Sequence, residues 1–463
     1  MMRKISIVGA GLAGTEAAYQ LAKRGLPVLL IDMKPGKLSP AHENKNFAEL
    51  VCSNSLRSEK LNTGSGLLKL ELKHFDSLIM QAAEACRIPA GNALAVDRHA
   101  FAAYLSERLR AMPNISIVEK EITDLEELGE GYQIIAAGPL CSSKLFYSIK
   151  EFCSAENLYF FDAAAPLIED ESINKQLVYL KNRYEDGEGD YLNCAMNKEE
   201  YLRFYEALLS AEKAEVADFE RDLLFEGCKP VEEIAADGED SLRFGPLKPV
   251  GLRHPQSGEE AYAVVQLRQD DFSRKLWNMV GFQTRLKFPE QKRVFSMIPG
   301  LENARFARYG VMHRNSFICS PRVLGEFYQS KTMPQRYFAG QISGVEGYLE
   351  STASGLVAAL SIANELLGSE NMEVFRGRKN IMGGLQAYVA QSSEYNFQPM
   401  KANFSLLQEL SKEEISLYRR KYQLKLKGRA LRRSIHAYRS LESLNYSPQE
   451  ILNLVDSQSN EDY

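Results

Sequence analysis

The alternation of apolar and polar positions divides the first thirty residues into three short blocks. Ile5 to Val8 is a β-branched apolar run and Val28 to Ile31 is a second apolar run, each suited to a parallel strand buried on both faces. Between them, residues 12–25 carry apolar side chains at helical spacing and end at Gly25. The pattern predicts a strand, a helix and a second strand joined by a right-handed crossover. Helical spacing recurs over residues 67–87 and again over 97–109, where an acidic start and a basic end mark the two termini. Residues 119–128 and 132–137 have the apolar content of strands, and the second runs into Gly138-Pro139.

From residue 159 to residue 301 the periodicity changes. Helical stretches such as 198–213 alternate there with strand candidates such as 261–267, the pattern of an inserted α+β domain. The earlier pattern returns in Gln335-Arg-Tyr-Phe-Ala-Gly-Gln-Ile-Ser-Gly-Val-Glu-Gly347 and the helical residues 351–360. These shifts predict a first part of a nucleotide-binding domain over 1–158, an insert over 159–301 and a second part over 302–441 that ends in a basic helix. A flexible tail is expected over 442–463.

The turns between these elements carry the chemistry. In Gly9-Ala10-Gly11-Leu12-Ala13-Gly14, the first glycine permits a tight turn, the second admits a pyrophosphate to the backbone, and the third lets helix pack on strand. Asp32 follows about twenty residues later at the end of the second strand, where a carboxylate accepts hydrogen bonds from ribose hydroxyls. Gly138, Gly340, Gln341 and Gly347 sit at the ends of later strands, in turns that would bring backbone amides against other parts of the same dinucleotide. This pairing of an early glycine turn with a late strand, turn and helix is the arrangement of FAD-binding proteins of the glutathione-reductase type. The expected class is therefore α/β, a Rossmann-like FAD-binding domain with an inserted α+β domain. There is no second GxGxxG for NAD(P), so a nicotinamide donor would bind transiently. A basic start followed by apolar residues could suggest a secretory leader, but Glu16, Lys23 and Arg24 interrupt the run.

Composition narrows the setting. The 463 residues are 45% hydrophobic and 25% charged, ordinary for a globular protein with two or three domains. With no apolar run of about eighteen residues, a membrane span is not expected, and the cytoplasm is the expected compartment. None of the seven cysteines forms a CxxC pair, which argues against a disulfide reductase, and no metal site is expected. Two cysteines have unusual surroundings. Cys52 is followed by Ser53, Asn54 and Ser55, with Arg57 close enough in sequence to favour a thiolate; Cys228 lies between Gly227 and Lys229, just before Pro230.

A net charge of −5 provides no global attraction for nucleic acid, so a polyanion would need a local patch. Residues 415–441 supply one, with Arg419, Arg420, Lys421, Lys425, Lys427, Arg429, Arg432, Arg433 and Arg439 and no acid. The alternatives are a solvated helix face and a phosphate-binding surface, the latter favoured by the interleaved Tyr418, Tyr422 and Tyr438. Arg419, Arg420, Arg429, Arg432 and Arg433 are the candidate RNA contacts.

Longer stretches carry a resemblance. They are Asn46-Phe-Ala-Glu-Leu-Val-Cys-Ser-Asn-Ser55, Phe225-Glu-Gly-Cys-Lys-Pro230, Leu242-Arg-Phe-Gly-Pro-Leu-Lys-Pro-Val-Gly251, Val280-Gly-Phe-Gln-Thr-Arg285, Tyr309-Gly-Val-Met-His-Arg-Asn315 and Gly340-Gln-Ile-Ser-Gly-Val-Glu-Gly347. With these the chain resembles the folate- and flavin-dependent tRNA (uracil-5-)-methyltransferases, the TrmFO or Gid family, over nearly its whole length. The resemblance implies FAD on the first glycine turn, 5,10-methylenetetrahydrofolate as carbon donor, NAD(P)H as reductant and tRNA as substrate. Cys228 and Cys52 match the family's two functional cysteines, with Cys228 favoured as the thiol that attacks uracil C6 and Cys52 placed near the flavin. His313 is the expected stacking partner of the pterin, with Arg314 beside it. The chain departs from the family pattern at Glu43, where a second histidine is common, and at Asn193-Cys-Ala-Met196, where a proline is common. Ribosomal RNA as the target of the same chemistry is the alternative reading. An FAD-dependent tRNA-modification oxidoreductase or binding module without methyl transfer is the alternative of another class.

Overall fold

The computed structural model describes residues 4–39, 42–153, 158–185, 187, 189–214, 229–255, 257–271, 274–394 and 397–459; for residues 158–164, 311–316 and 456–459 it describes the backbone alone. A five-stranded parallel sheet forms the centre of the first core, in the order Arg336–Phe338, Tyr132–Ile135, Ile5–Val8, Val28–Asp32 and Ile115–Glu119. All four residues of Ile5–Val8 are buried, as an apolar strand flanked on both edges and both faces requires. The helix Leu12–Lys23 crosses over as expected and packs on the long helix Tyr348–Leu367. That contact is close because the long helix carries no side chain where it crosses Ala13, while Gly14 lets its own helix sit against the glycine turn. A Cβ on Gly355 would stand 2.1 Å from the Ala13 carbonyl oxygen, and one on Gly14 would stand 1.8 Å from that of Gly9.

Two sequence expectations change here. The strand expected over 119–128 ends at Glu119, and Leu125–Leu128 is a turn of 3-10 helix. The side chain of Asp124 accepts from the turn's backbone while Glu127 reaches back to the Asp124 amide, and this reciprocal capping places both Leu125 and Leu128 inside. The single helical stretch of 67–87 is two helices, Gly64–His74 and Leu78–Ala85. Asp76 takes a left-handed conformation between them, and Ser77 caps the second helix by accepting from the Met80 amide.

The second core is built on a six-stranded sheet in the order Val178–Leu180, Tyr191–Met196, Ala263–Gln269, Leu276–Met279, Leu167–Glu169 and Phe306–Arg308, with antiparallel neighbours throughout. Helices Lys198–Ser210, Val231–Ala236 and Phe288–Phe295 contribute buried residues to this core. The chain leaves the first core through Leu158–Ala164 and returns through Val311–Phe317, and these two strands pair antiparallel with one another.

The C-terminal segment belongs to the first core. Its basic stretch is two helices, Lys412–Lys421 and Gly428–Ser443. The stretch expected as a flexible tail carries a third helix, Pro448–Ser459, because Ile451 is fully buried and Leu452, Leu454 and Val455 pack partly against the core. The buried Glu71 carboxylate ties these elements together: it accepts from the Ile381 and Met382 amides and from the Ser440 hydroxyl. Burial pushes its pKa up to about 7. Among the described residues, no helix is long and apolar enough to cross a membrane.

Candidate functional site

The glycine turn opens onto a cavity at the C-terminal ends of the parallel strands, the usual location of ligands in such sheets. Gly9, Ala10, Gly11, Leu12, Ala13, Asp32, Gly138, Gly340 and Gln341 all line it. Gly9 has φ +96°, and a Cβ there would lie 2.4 Å from the Ala136 carbonyl oxygen, so its glycine is a requirement of the fold. Gly11 differs. Its φ is −73°, and among the described residues an added Cβ would meet no atom within 4 Å. Neither backbone nor packing demands glycine at that position, and the free space belongs to the cavity.

Because no described side chain caps the helix that starts at Leu12, its first amides remain available to an anion. Asp32 is fixed by the same turn: its carboxylate accepts from the Ala10 amide at 2.5 Å and from the Lys34 amide at 2.8 Å. These features fit a dinucleotide, with pyrophosphate over Gly11 and the helix start and a ribose at Asp32. Gly14 and Gly347 lie outside the lining. Gly14 serves the helix-on-strand contact, whereas Gly347, at φ +117°, leaves room for an ion pair; a Cβ there would stand 2.3 Å from Glu350 Oε2 and 2.7 Å from Arg57 Nη2.

Cys52 lines the same cavity, and the loop that carries it is held residue by residue. Arg98 Nη1 donates to the Leu50 carbonyl at 3.0 Å, and Arg308 Nη1 donates to that of Val51 at 3.2 Å. The Tyr348 hydroxyl accepts from the amides of both Cys52, at 2.9 Å, and Ser53, at 3.0 Å. Arg268 Nη2 donates to Ser53 Oγ at 2.8 Å and to Asn54 Oδ1 at 2.9 Å. The Asn54 amide group in turn donates to the carbonyls of Val96 and Gln269. Arg268 and Gln269 belong to the second core's sheet, and Tyr348 belongs to the helix that packs on the glycine-turn helix. The thiol-bearing loop is thus fixed jointly by both cores.

The charges around this loop are unequal. Arg98 pairs with Asp270 through Nη2 and Oδ1 at 2.9 Å, and its Nε lies 2.8 Å from Oδ2 without hydrogen-bond alignment, a purely Coulombic second arm. Arg308 is mostly buried, which lowers its pKa; Arg98 repels it and Asp270 attracts it. Arg98, Arg268 and Arg308 thus all donate to the Cys52 loop, Asp270 pairs with Arg98 and attracts Arg308, and the Arg98 guanidinium interacts electrostatically with Cys52 itself. Arg57, the cation expected to act on that thiol, pairs with the buried Glu350 at 2.9 Å.

A second set of buried charges organises the rim. Lys34 Nζ donates to the Asn46 carbonyl at 2.9 Å and lies 3.6 Å from Glu49, and burial lowers its pKa. Glu49 accepts from the amides of Glu43 and Asn44, so the unusual Glu43 is held through its main chain. Ser39 Oγ and His42 Nδ1 lie 2.5 Å apart, and both residues line the cavity.

The remaining expected residues are located as follows. Cys228 lies outside the described residues; its neighbour Lys229 pairs with Asp237. His313 and Arg314 lie on the returning strand opposite Asp162 and Phe161, and only their backbone is described. Arg419 and Arg420 are exposed on one C-terminal helix, whereas Arg429, Arg432 and Arg433 lie on the next. Two other basic residues of that stretch are internally committed, Lys421 to Glu442 and Arg439 to Glu414 and the Gln408 carbonyl.

Sequence reading missed Tyr348, Arg98, Arg268, Arg308 and Asp270. The one available signal was Arg268, Gln269 and Asp270, charged and polar residues that close a strand beginning Ala263-Val-Val265.

Comparison with known proteins agrees with this architecture. The family model of glucose inhibited division protein A matches residues 4–370. A methylenetetrahydrofolate--tRNA-(uracil-5-)-methyltransferase TrmFO from Lactobacillus delbrueckii subsp. bulgaricus is 53% identical over 423 residues, covering 91% of this chain and 95% of that protein. Another from Staphylococcus epidermidis is 51% identical over 452 residues, covering 97% of this chain and all of that one, 100%. The crystal structure of Aquifex aeolicus GidA shares the fold at a TM-score of 0.66 and 14% identity, over 99% of this chain and 76% of that one. By the extent of the family match and the identity to these relatives, the chain belongs to the glucose inhibited division protein A family and, within it, to the TrmFO group.

Proposed function

We propose that this protein is a methylenetetrahydrofolate--tRNA-(uracil-5-)-methyltransferase that converts a T-loop uridine to 5-methyluridine, with FAD in the glycine-lined cavity and NAD(P)H as reductant. The observation that carries this reading is the placement of Cys52 in the wall of that cavity, on a loop locked by Arg98, Arg268, Arg308 and Tyr348.

Uracil C5 is a weak nucleophile until a thiolate adds to C6. The addition forms a C6–S bond and makes C5 an enolate carbon able to bond the one-carbon unit of the folate. Loss of the C5 proton with cleavage of the bond between the one-carbon unit and the folate nitrogen releases tetrahydrofolate and leaves an exocyclic methylene on the ring. FAD, when bound and reduced, would supply the hydride that takes this methylene to a methyl group, and expulsion of the thiolate from C6 then restores the ring double bond. In this reading Cys228 supplies the attacking thiolate, and Cys52 acts beside the cofactor. The first amides of the helix Leu12–Lys23 hold the pyrophosphate and Asp32 holds a ribose. His313 and Arg314 contact the folate, a role that rests on the family resemblance.

A tRNA carrying 5-fluorouracil at the target tests this assignment, because fluorine at C5 cannot leave as a proton does and the adduct accumulates. Cys228→Ala is expected to retain FAD and oxidise NADPH but form no adduct. If Cys52→Ala alone abolishes trapping, the roles of the two thiols are exchanged. If neither substitution matters, the methyltransferase reading fails.

A further inference from the structure

A second recess lies between the helix Gly428–Ser443 and the start of the helix Gly64–His74. Arg429, Arg432 and Arg433 line one wall, and among the described residues no carboxylate contributes to its lining. The three fall on one face of their helix, opposite the buried Leu431, Ile435 and Tyr438. From Arg429 to Arg433 the helix rises about 6 Å, enough to meet more than one phosphate of an extended polyanion. None of the three makes a hydrogen bond or ion pair among the described residues, in contrast to Lys421 and Arg439 nearby. The opposite wall is polar and uncharged, with Asn62, Thr63, Asn403 and Ser405, while Phe404 stacks on His436 at 5.9 Å to close the end.

The recess is mechanically joined to the cofactor cavity. Asn403 in its wall directly follows Ala402, whose amide donates to Glu350 at 2.8 Å. Glu350 sits in the first turn of the helix that presents Tyr348 and Ser351 to the cavity. A chain gripped in the recess is therefore anchored close to the start of the helix that positions the Cys52 loop.

We infer that this recess grips the phosphodiester backbone of the RNA substrate through Arg429, Arg432 and Arg433, holding the RNA while a uridine reaches the cavity. The inference rests on the proposed RNA methyltransferase function. It narrows the RNA surface to one helix face and assigns it a sequence-independent task, since phosphate contacts position a nucleic acid without reading its bases.

The test uses the full-length, FAD-loaded protein and unmodified tRNA over a range of salt concentrations. Arg432→Glu/Arg433→Glu is expected to raise the KM for tRNA at least tenfold. It should also reduce the steepness of log KM against log salt by roughly 0.7–0.9 for each phosphate that the protein no longer neutralises. Flavin content and the KM for NADPH should stay at wild-type values. Arg432→Lys/Arg433→Lys keeps the charge and is expected to restore most of the affinity. If reversal unfolds the protein, the triple change of Arg429, Arg432 and Arg433 to Gln provides the same readout. An unchanged tRNA KM and salt slope, with wild type active, overturns the recess and leaves the methyltransferase standing. A raised KM for NADPH instead of tRNA assigns the recess to the dinucleotide and overturns it too. Wild-type protein that methylates no RNA removes the function on which the inference stands.

Discussion

Among the described residues, Asp270 pairs with the buried Arg98 and attracts the nearby Arg308, and removing its charge should damage the protein more than removing one arginine. Both members of the Arg98–Asp270 pair are buried, with side chains 6% and 1% exposed. Breaking such a pair by removing one partner costs about 3–5 kcal/mol, because the other charge is left uncompensated. The two halves are not equivalent. In Arg98→Met, Asp270 still has Arg308 nearby and Arg308 is relieved of Arg98, so the cost belongs near ~3 kcal/mol. In Asp270→Asn, two buried guanidinium groups face each other without that anion, so the cost belongs near or above ~5 kcal/mol. Urea unfolding followed by the fluorescence of the only tryptophan, Trp277, buried in the second core, measures both. With a slope of about 3 kcal/mol/M, midpoints should fall by about 1 M for Arg98→Met and clearly further for Asp270→Asn. Equal midpoints, or a larger loss for Arg98→Met, would refute the charge count.

Three further outcomes follow from the same geometry. Gly11→Val is expected to lose bound FAD and to melt near the temperature of FAD-stripped wild type, since its added Cβ meets no described protein atom within 4 Å, whereas Gly14→Ala should be destabilised below that by its approach to Gly9; flavin absorbance beside thermal melts separates the two. The raised pKa of Glu71, about 7 against an ordinary 4.5, means that the folded state holds the proton more tightly. Its stabilising contribution is therefore complete below about pH 4.5 and is lost as pH rises to about 7, by roughly 3 kcal/mol. Wild type should lose stability relative to Glu71→Gln as pH rises across that window, and a difference independent of pH would falsify the assignment. Tyr348→Phe leaves the Cys52 and Ser53 amides without their acceptor, costing about 1–3 kcal/mol locally, so iodoacetamide labelling of Cys52, read by peptide mass spectrometry, should accelerate.

The cofactor half of the fold was legible because its signals are local. Strand, glycine turn, helix and acid-ended strand occupy residues 5–32 without interruption, and each apolar run reports its own burial. Two of the misread stretches failed where short-range polar chemistry overrode apolar content: the reciprocal cap of Asp124 and Glu127 made a turn out of an expected strand, and Asp76 with Ser77 split an expected helix. The Cys52 loop shows the other limit. Its own polar run singled it out, but its supports come from positions 98, 268, 308 and 348, which converge only when two cores pack. Arg57 was a reasonable cation for the thiol by sequence distance, yet Glu350 pairs with it from 293 residues away. The C-terminal arginines illustrate the same point, since charge counting could not separate Arg439, committed to Glu414, from Arg432 and Arg433 in the recess.

The fate of the folate carbon distinguishes methyl transfer from flavin redox chemistry in one measurement. Purified protein is incubated with tRNA lacking 5-methyluridine, NADPH and methylenetetrahydrofolate labelled in its methylene group, and the tRNA is digested to nucleosides. Label is expected in 5-methyluridine, in wild-type yield only when folate, NADPH and flavin are all present, and none is expected with Cys228→Ala. Oxidation of NADPH without labelled 5-methyluridine, or methylation that proceeds without the folate, would contradict the folate-dependent assignment.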